Sequence, residues 1–154
     1  MRIAVCGSSA PGPSASRAKA CVAVFAAGKF YVVDTGPESV ESLVLWGIPL
    51  QSIGGVLLTH FHSDHIGDLG ELQLQTWAAG RPAPLAVYGG PGVEQVVAGF
   101  NQAYRPDQGY RTTHHGEKGD AVRDLGHGGG FLATTISTKP RKTCYTDIST
   151  RTRP

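Results

Sequence analysis

Long hydrophobic runs are missing. No stretch approaches the roughly 18 to 20 consecutive apolar residues that a membrane-spanning helix needs. Cysteine is scarce as well: Cys6, Cys21 and Cys144 make an odd number, with no Cys-x-x-Cys pair. Neither a disulfide framework nor a cysteine zinc site is therefore expected, and a reducing, cytoplasmic setting is the default. The Gly- and Ser-rich segment CGSSAPGPSASR lacks the Gly-Lys-Ser/Thr of a phosphate-cradling loop, which excludes that nucleotide-binding class. The opening MRIAVCGSS has one arginine and a short apolar run, and it reads as a first strand rather than a secretory signal.

Charge of either sign is modest, with 14 basic and 12 acidic residues among 154 and a net charge of +2. A charged fraction of 17% beside 40% hydrophobic residues belongs to a globular chain, and the length suits one domain with a real core. The basic excess is local. Residues 134 to 154 hold five basic residues and one acidic, which leaves nine basic and eleven acidic in the rest. That tail carries no clustered aromatics and no nucleic-acid motif, so it reads as a solvated tail rather than a binding arm.

Plentiful glycine and proline, 21 and 10 residues, point to short elements separated by turns. Residues 2–6 and 20–25 have strand character, and 30–34 follow the turn AAGK to complete a hairpin. Glu38 to Trp46 spaces its apolar residues as a short helix ended by Gly47 and Pro49. Ile53 to Thr59 reads as a buried strand and Asp64 to Ala79 as a helix stopped by Gly80. Leu85 to Tyr88 is a further strand, and Val93 to Tyr104 a further helix. Beyond Arg105 the pattern fades into loop-like HHGEKG and GHGGG, with one short apolar run at Phe131 to Ile136. Alternating strands and helices predict a layered α/β domain.

Within this frame the titratable residues are concentrated in one place. The stretch VLLTHFHSDHIGDL, residues 56–69, puts three histidines and two aspartates within nine positions, directly after an apolar strand. In extended chain, residues two apart face the same way, so His60 and His62 can converge on one point. Asp64 and His65 can converge on a second point where the helix begins. Imidazole and carboxylate suit zinc or another first-row divalent ion, and the carboxyl end of a buried strand is where open α/β sheets gather ligands. The bland alternative is a polar strand-to-helix loop with Asp64 as a helix cap; it leaves the spacing of four such residues unexplained. Asp34 in Asp-Thr-Gly (34–36) matches the aspartic-protease triplet, but that chemistry needs two carboxylates sharing a proton. A structural aspartate at a strand end is the better reading. Asp68 reads as a helix-surface residue, and His114, His115 and His127 as polar loop residues.

The segment THFHSDH resembles the metal-binding signature of the metallo-β-lactamase superfamily. MRIAVCGSSAPGPSASR, FYVVDTG and PLAVYGGPGVEQVVAGFNQAYRPDQGYRTTHHG resemble the ribonuclease Z and arylsulfatase-like branch. The likeness covers roughly residues 1 to 116, with 117–154 a divergent, loop-rich tail. It implies the N-terminal half of an αββα sandwich and a hydrolase that attacks a phosphodiester, sulfate or related ester with a metal-bound hydroxide. It further implies two divalent ions, zinc first and manganese second, with His60 and His62 on one and Asp64 and His65 on the other. Asp64 would also orient the nucleophile, and Asp34 would be structural near the site. The second histidine of the loop argues against the redox, diiron members, which carry glutamate there.

The same resemblance expects three more ligands from a second αβ half, namely two histidines and a bridging aspartate. Where that half would begin, this chain reads STKPRKTCYTDISTRTRP, and seven of its last 21 residues are threonine. The sequence thus resembles half of such a hydrolase, as a truncation or frameshift leaves. Either another chain (a homodimer being one arrangement) or a longer product supplies the rest, or the chain is an inactive half-domain or weak metal-binding module. The expected substrate is a small-molecule ester or a nucleic-acid phosphodiester, and no membrane partner is expected.

Overall fold

Residues 1–116 and 130–136 are described by the computed structural model. Strands β1 (Arg2–Gly7), β2 (Cys21–Ala26) and β3 (Lys29–Val33) come first, then helix α1 (Ser39–Leu45) and a single 3₁₀ turn at Leu50–Ser52. Strand β4 (Ile53–Leu57), helices α2 (Ser63–Ile66) and α3 (Leu69–Ala78), β5 (Leu85–Gly89), α4 (Val93–Gly116) and β6 (Phe131–Thr135) follow. The six strands lie side by side in sequence order. The first two pairings are antiparallel and the last three parallel. The β2–β3 hairpin closes through Ala27 and Gly28, both at positive φ (51° and 75°), the geometry whose twist matches its flanking strands.

Period-two alternation decides what is buried. Phe30 and Val32 on β3, Val56 on β4, and Leu85 and Val87 on β5 are sealed in one cluster with Leu43, Leu69, Leu72, Val93 and Val97 from the helices. The helices therefore cover one face of the sheet, as half of an αββα sandwich requires, and the parallel strands β3, β4 and β5 aim their carboxyl ends at one rim. No helix among the described residues is long and apolar enough to cross a membrane.

Several local expectations are corrected. Cys6 and Cys21 are joined by a disulfide, although their spacing announces none. The register shift between Val5 and Gly7 on β1 lays Cys6 beside the start of β2, with Cα atoms 5.0 Å apart. The single helix expected from Asp64 to Ala79 is two, broken at Gly67 and Asp68. Helix α4 runs through Pro106 to Gly116 instead of ending at Tyr104, so His114 and His115 lie on its last turn rather than in a loop. Interior proline usually ends a helix, but the shorter expectation rested on the apolar spacing, which fades after Arg105. Phe131–Thr135, which local pattern assigned to the tail, pairs in parallel with β5 over five residues, so the sheet draws its last strand from beyond residue 116. His127 lies outside the described residues.

Candidate metal centre

The loop after β4 is built by alternation. Leu58 is buried, Thr59 and His60 are exposed, and Phe61 turns inward against the core and the glycines that open α4. His62, again outward, is extended (φ −65°, ψ 150°) and precedes α2. A phenylalanine between two histidines thus anchors the loop while both imidazoles point the same way. His60 Nε2 and His62 Nδ1 stand 3.2 Å apart. Two nitrogens bound to one tetrahedral zinc are separated by about 3.3 Å, given bonds of about 2.0–2.1 Å, so this pair has the spacing of a chelate. His65 Nε2 lies 3.6 Å from Asp64 Oδ2, and the His65 ring packs 4.0 Å from that of His60. Asp64 is not a cap: α2 starts after His62 with no side-chain cap bond.

Behind these side chains stands one buried carboxylate. Asp34, at the end of β3 in a left-handed conformation (φ 57°), accepts from the Thr59 amide at 2.8 Å and the Thr59 hydroxyl at 2.7 Å. Its Oδ2 also accepts from His65 Nδ1 at 2.9 Å. A carboxylate only accepts, so the His65 proton sits on Nδ1 and its Nε2 lone pair is left for a ligand. Thr59, having donated to Asp34, offers a lone pair to His60 Nδ1 at 3.1 Å, which leaves His60 Nε2 free in the same way. One aspartate therefore sets the tautomers of two histidines. Thr59 was missed in the sequence; its only signal is a hydroxyl directly before the first histidine.

The loop is held from below by its backbone. The Thr35 amide donates to the His65 carbonyl at 2.7 Å, and Gly36 sits against the Asp64 carbonyl. Asp68 corrects the surface reading. Its Oδ2 accepts from the Val40 amide at 3.2 Å and so caps α1 from the break between α2 and α3. Burial raises its pKa above the ordinary 3.8, partly offset by these backbone bonds. Removing the acceptor in Asp68→Ala should destabilise the fold by about 1 kcal/mol, the usual worth of a cap. Asp68→Asn retains an acceptor and should lose less. Because the raised pKa favours the neutral form in the fold, acidification from neutral toward about pH 4 should stabilise wild type relative to Asp68→Asn. Urea midpoints at both pH values check this, and a gap that is independent of pH would contradict it.

Family comparison decides the lineage. The metallo-beta-lactamase superfamily model matches residues 17–140. This chain belongs to that superfamily. A ribonuclease Z from Mycobacterium marinum is 36% identical over 120 residues, and one from Mycolicibacterium paratuberculosis 34%. Each alignment takes in 76% of this chain but only 43% of the relative, so the chain spans less than half the length of these relatives. Among solved structures, the metallo-beta-lactamase fold protein YhfI from Bacillus subtilis is 28% identical with a TM-score of 0.53 over 60% of this chain and 39% of its own. Human tRNase Z, short form, shares the fold with a TM-score of 0.58 at 21% identity, over 69% of this chain and 39% of that one. This superfamily member brings its ligand-type side chains together as two pairs. Among the described residues no group of three His, Cys, Asp or Glu is arranged to hold one ion.

Proposed function

We propose that this chain carries the first ligand loop of a metal-dependent hydrolase that cleaves a phosphodiester, the class suggested by relatives named ribonuclease Z. The observation that carries the reading is the 3.2 Å approach of His60 Nε2 and His62 Nδ1 at the carboxyl end of β4, with the His60 proton held on Nδ1 by Thr59. In this reading His60 and His62 hold one divalent ion and Asp64 and His65 the other. The mixed imidazole–carboxylate set suits zinc, with manganese second. When bound, two such ions acidify a water and offset charge on the attacked phosphoryl group. The chain's own residues do the rest. Asp64 orients the attacking water, Asp34 and Thr59 hold His65 and His60 in their ligand tautomers, and Phe61 fixes the loop. The proposed setting is cytoplasmic, where Cys6 and Cys21 would stand as two buried thiols.

A second reading concerns the chain by itself. With two ligands per ion among the described residues, where a catalytic zinc takes three, the chain taken alone reads as a weak metal-binding half-domain without turnover. Four-ligand structural zinc sites are worth about 10–16 kcal/mol, so half a set is worth about 5–8, or a Kd between about 1 μM and 0.2 mM. Isothermal titration with zinc should return a value in that range, weakened about tenfold or more in His62→Ala. No binding at millimolar zinc, or binding indifferent to His60→Ala and His62→Ala, would sink the ligand assignment. Bis-nitrophenyl phosphate should not be turned over above background. Robust turnover that is lost in Asp64→Ala would instead make the chain a minimal active hydrolase.

A further inference from the structure

The Cys6–Cys21 bond joins residues 15 apart in the sequence, at an interruption in the pairing of β1 with β2. Val5 pairs with Val22 and Gly7 with Cys21, so the ladder skips Cys6 and the covalent link stands where backbone pairing fails. The two cysteines are 4% and 2% exposed, whereas residues 10–13 and 15–17 of the segment they enclose lie in solvent.

One residue from the bond, the chain meets the floor of the ligand loop. The Ala20 carbonyl accepts from the Gly36 amide at 2.9 Å, and the Lys19 amide donates to the Pro37 carbonyl at 3.0 Å. From the end of β1, the Ser8 and Ser9 amides both donate to the Ala18 carbonyl, at 3.0 and 2.9 Å. A Cβ on Gly7 would stand 1.6 Å from the Lys19 carbonyl oxygen. Residues 18–20 are thus pinned between the end of β1 and the Asp-Thr-Gly turn. On its other side that turn holds the ligand loop, through the Thr35-to-His65 bond and the packing of Gly36 on the Asp64 carbonyl. Each of these hydrogen bonds is backbone to backbone, so no side chain is free to absorb a shift between the cysteines and His65.

We propose that Cys6 and Cys21 are a reversible oxidation site, a clamp that tightens the floor of the ligand loop when bonded and loosens it when reduced. The oxidant is a peroxide. One thiolate attacks the O–O bond; an S–O bond forms, and the departing hydroxide takes up the thiol proton as water. The second sulfur then displaces the sulfenic hydroxyl, the S–S bond forms, and a second water leaves with the second thiol proton. Together the sulfurs lose two electrons and the peroxide gains them. A dithiol reverses the change by exchange and leaves as its own disulfide. The Cα atoms are 5.0 Å apart, within disulfide range, so closure asks for no backbone movement. Two thiols need more room than one bond, and that room comes from the interrupted pairing, against residues 18–20. Reagents enter by local opening of the exposed segment, which costs less than global unfolding.

The clamp does not depend on the hydrolase reading; only its effect on metal rests on that reading. The test uses the full chain carrying Cys144→Ser, so that no third thiol competes. Three forms are compared: peroxide-treated, reduced by a dithiol that is then removed, and Cys6→Ala/Cys21→Ala. The oxidised form should melt roughly 6–12 °C above the other two, and dithiol should reverse the gain. Amide resonances of Thr35, Gly36 and His65 should move between oxidised and reduced forms, while those of Leu85 to Tyr88 on β5 stay in place. Thiols that both remain open to alkylation after peroxide would overturn the proposal. Resonance changes confined to residues 5–9 and 19–22 would also overturn it, by making the bond a local staple. If the double variant does not fold, the reduced form supplies the same comparison. Zinc should bind at least threefold more tightly to the oxidised form than to Cys6→Ala/Cys21→Ala, which has no thiols to hold the metal themselves. Equal affinities reject the metal effect and leave the clamp to the resonances. Absence of zinc binding in both is a failure of the ligand assignment, and the resonances still decide the clamp.

Discussion

Gly36→Ala should destabilise the fold by about 3 kcal/mol or more, lowering the thermal midpoint by roughly 6–12 °C for a domain of this size. A Cβ there would stand 2.2 Å from the Asp64 carbonyl oxygen, 2.4 Å from Lys19 Cβ and 2.8 Å from the Ala20 amide nitrogen. Real Cβ atoms do not approach that closely, and two of the three neighbours are backbone, so no side chain can swing aside. The Gly36 amide also donates to Ala20 at 2.9 Å, tying the segment before β2 to the Asp-Thr-Gly turn. Relief must push the ligand loop outward or the 18–20 segment away. The first displaces Asp64 and His65 together, and the second loosens the start of β2. Gly12→Ala is the matched control, because a Cβ there meets nothing within 4 Å. Thermal unfolding followed by circular dichroism checks the pair, and a Gly36→Ala midpoint within about 2 °C of wild type would refute the close-packed loop.

The third residue of Asp-Thr-Gly thus has a reason that no protease analogy supplies. Sequence alone shows where this region lies, because alternation identifies β3 and β4 and the cluster from His60 to His65 follows directly. What it cannot show is that Asp34, at the end of one strand, reaches Thr59 and His65 beyond the next. That contact exists only because β3 and β4 are parallel neighbours, and a parallel pairing leaves no local trace in the chain. Asp68 fails to announce itself for a similar reason. A cap supplied from a break between two other helices looks, in one dimension, like any polar residue on a helix surface. The disulfide depends on a one-residue irregularity in β1, and β6 on a five-residue match to β5 across 41 intervening residues (90–130). Local pattern misled most beyond Tyr104, where the apolar spacing fades while the helix continues through Pro106 to Gly116.

Asp34→Asn should separate stability from metal affinity. Asparagine tolerates the left-handed backbone that Asp34 adopts (φ 57°), so the main chain can stay where it is. Its Oδ1 can still accept from the Thr59 amide. An Nδ2 in place of Oδ2, however, donates where the carboxylate accepted. His65 can meet it only by moving its proton from Nδ1 to Nε2, and the Thr59 hydroxyl only by turning its own proton toward His60 Nδ1. Both histidines then carry N–H on the atom meant for a ligand. The expected loss of stability is about 1–3 kcal/mol, the range for mismatched buried hydrogen bonds. The expected loss of zinc affinity is about 10- to 100-fold, as for other groups that orient a ligand from behind. Asp34→Ala should differ in kind, leaving the Thr59 amide unpaired and adding backbone strain, for about 3 kcal/mol of destabilisation with the histidines no longer held in either tautomer. Nitrogen-15 chemical shifts of the imidazoles distinguish the cases. Wild type should show His60 and His65 protonated on Nδ1, and Asp34→Asn should show both on Nε2. Unchanged tautomers with weakened zinc binding would mean that Asp34 acts through the position of the loop rather than through its protons.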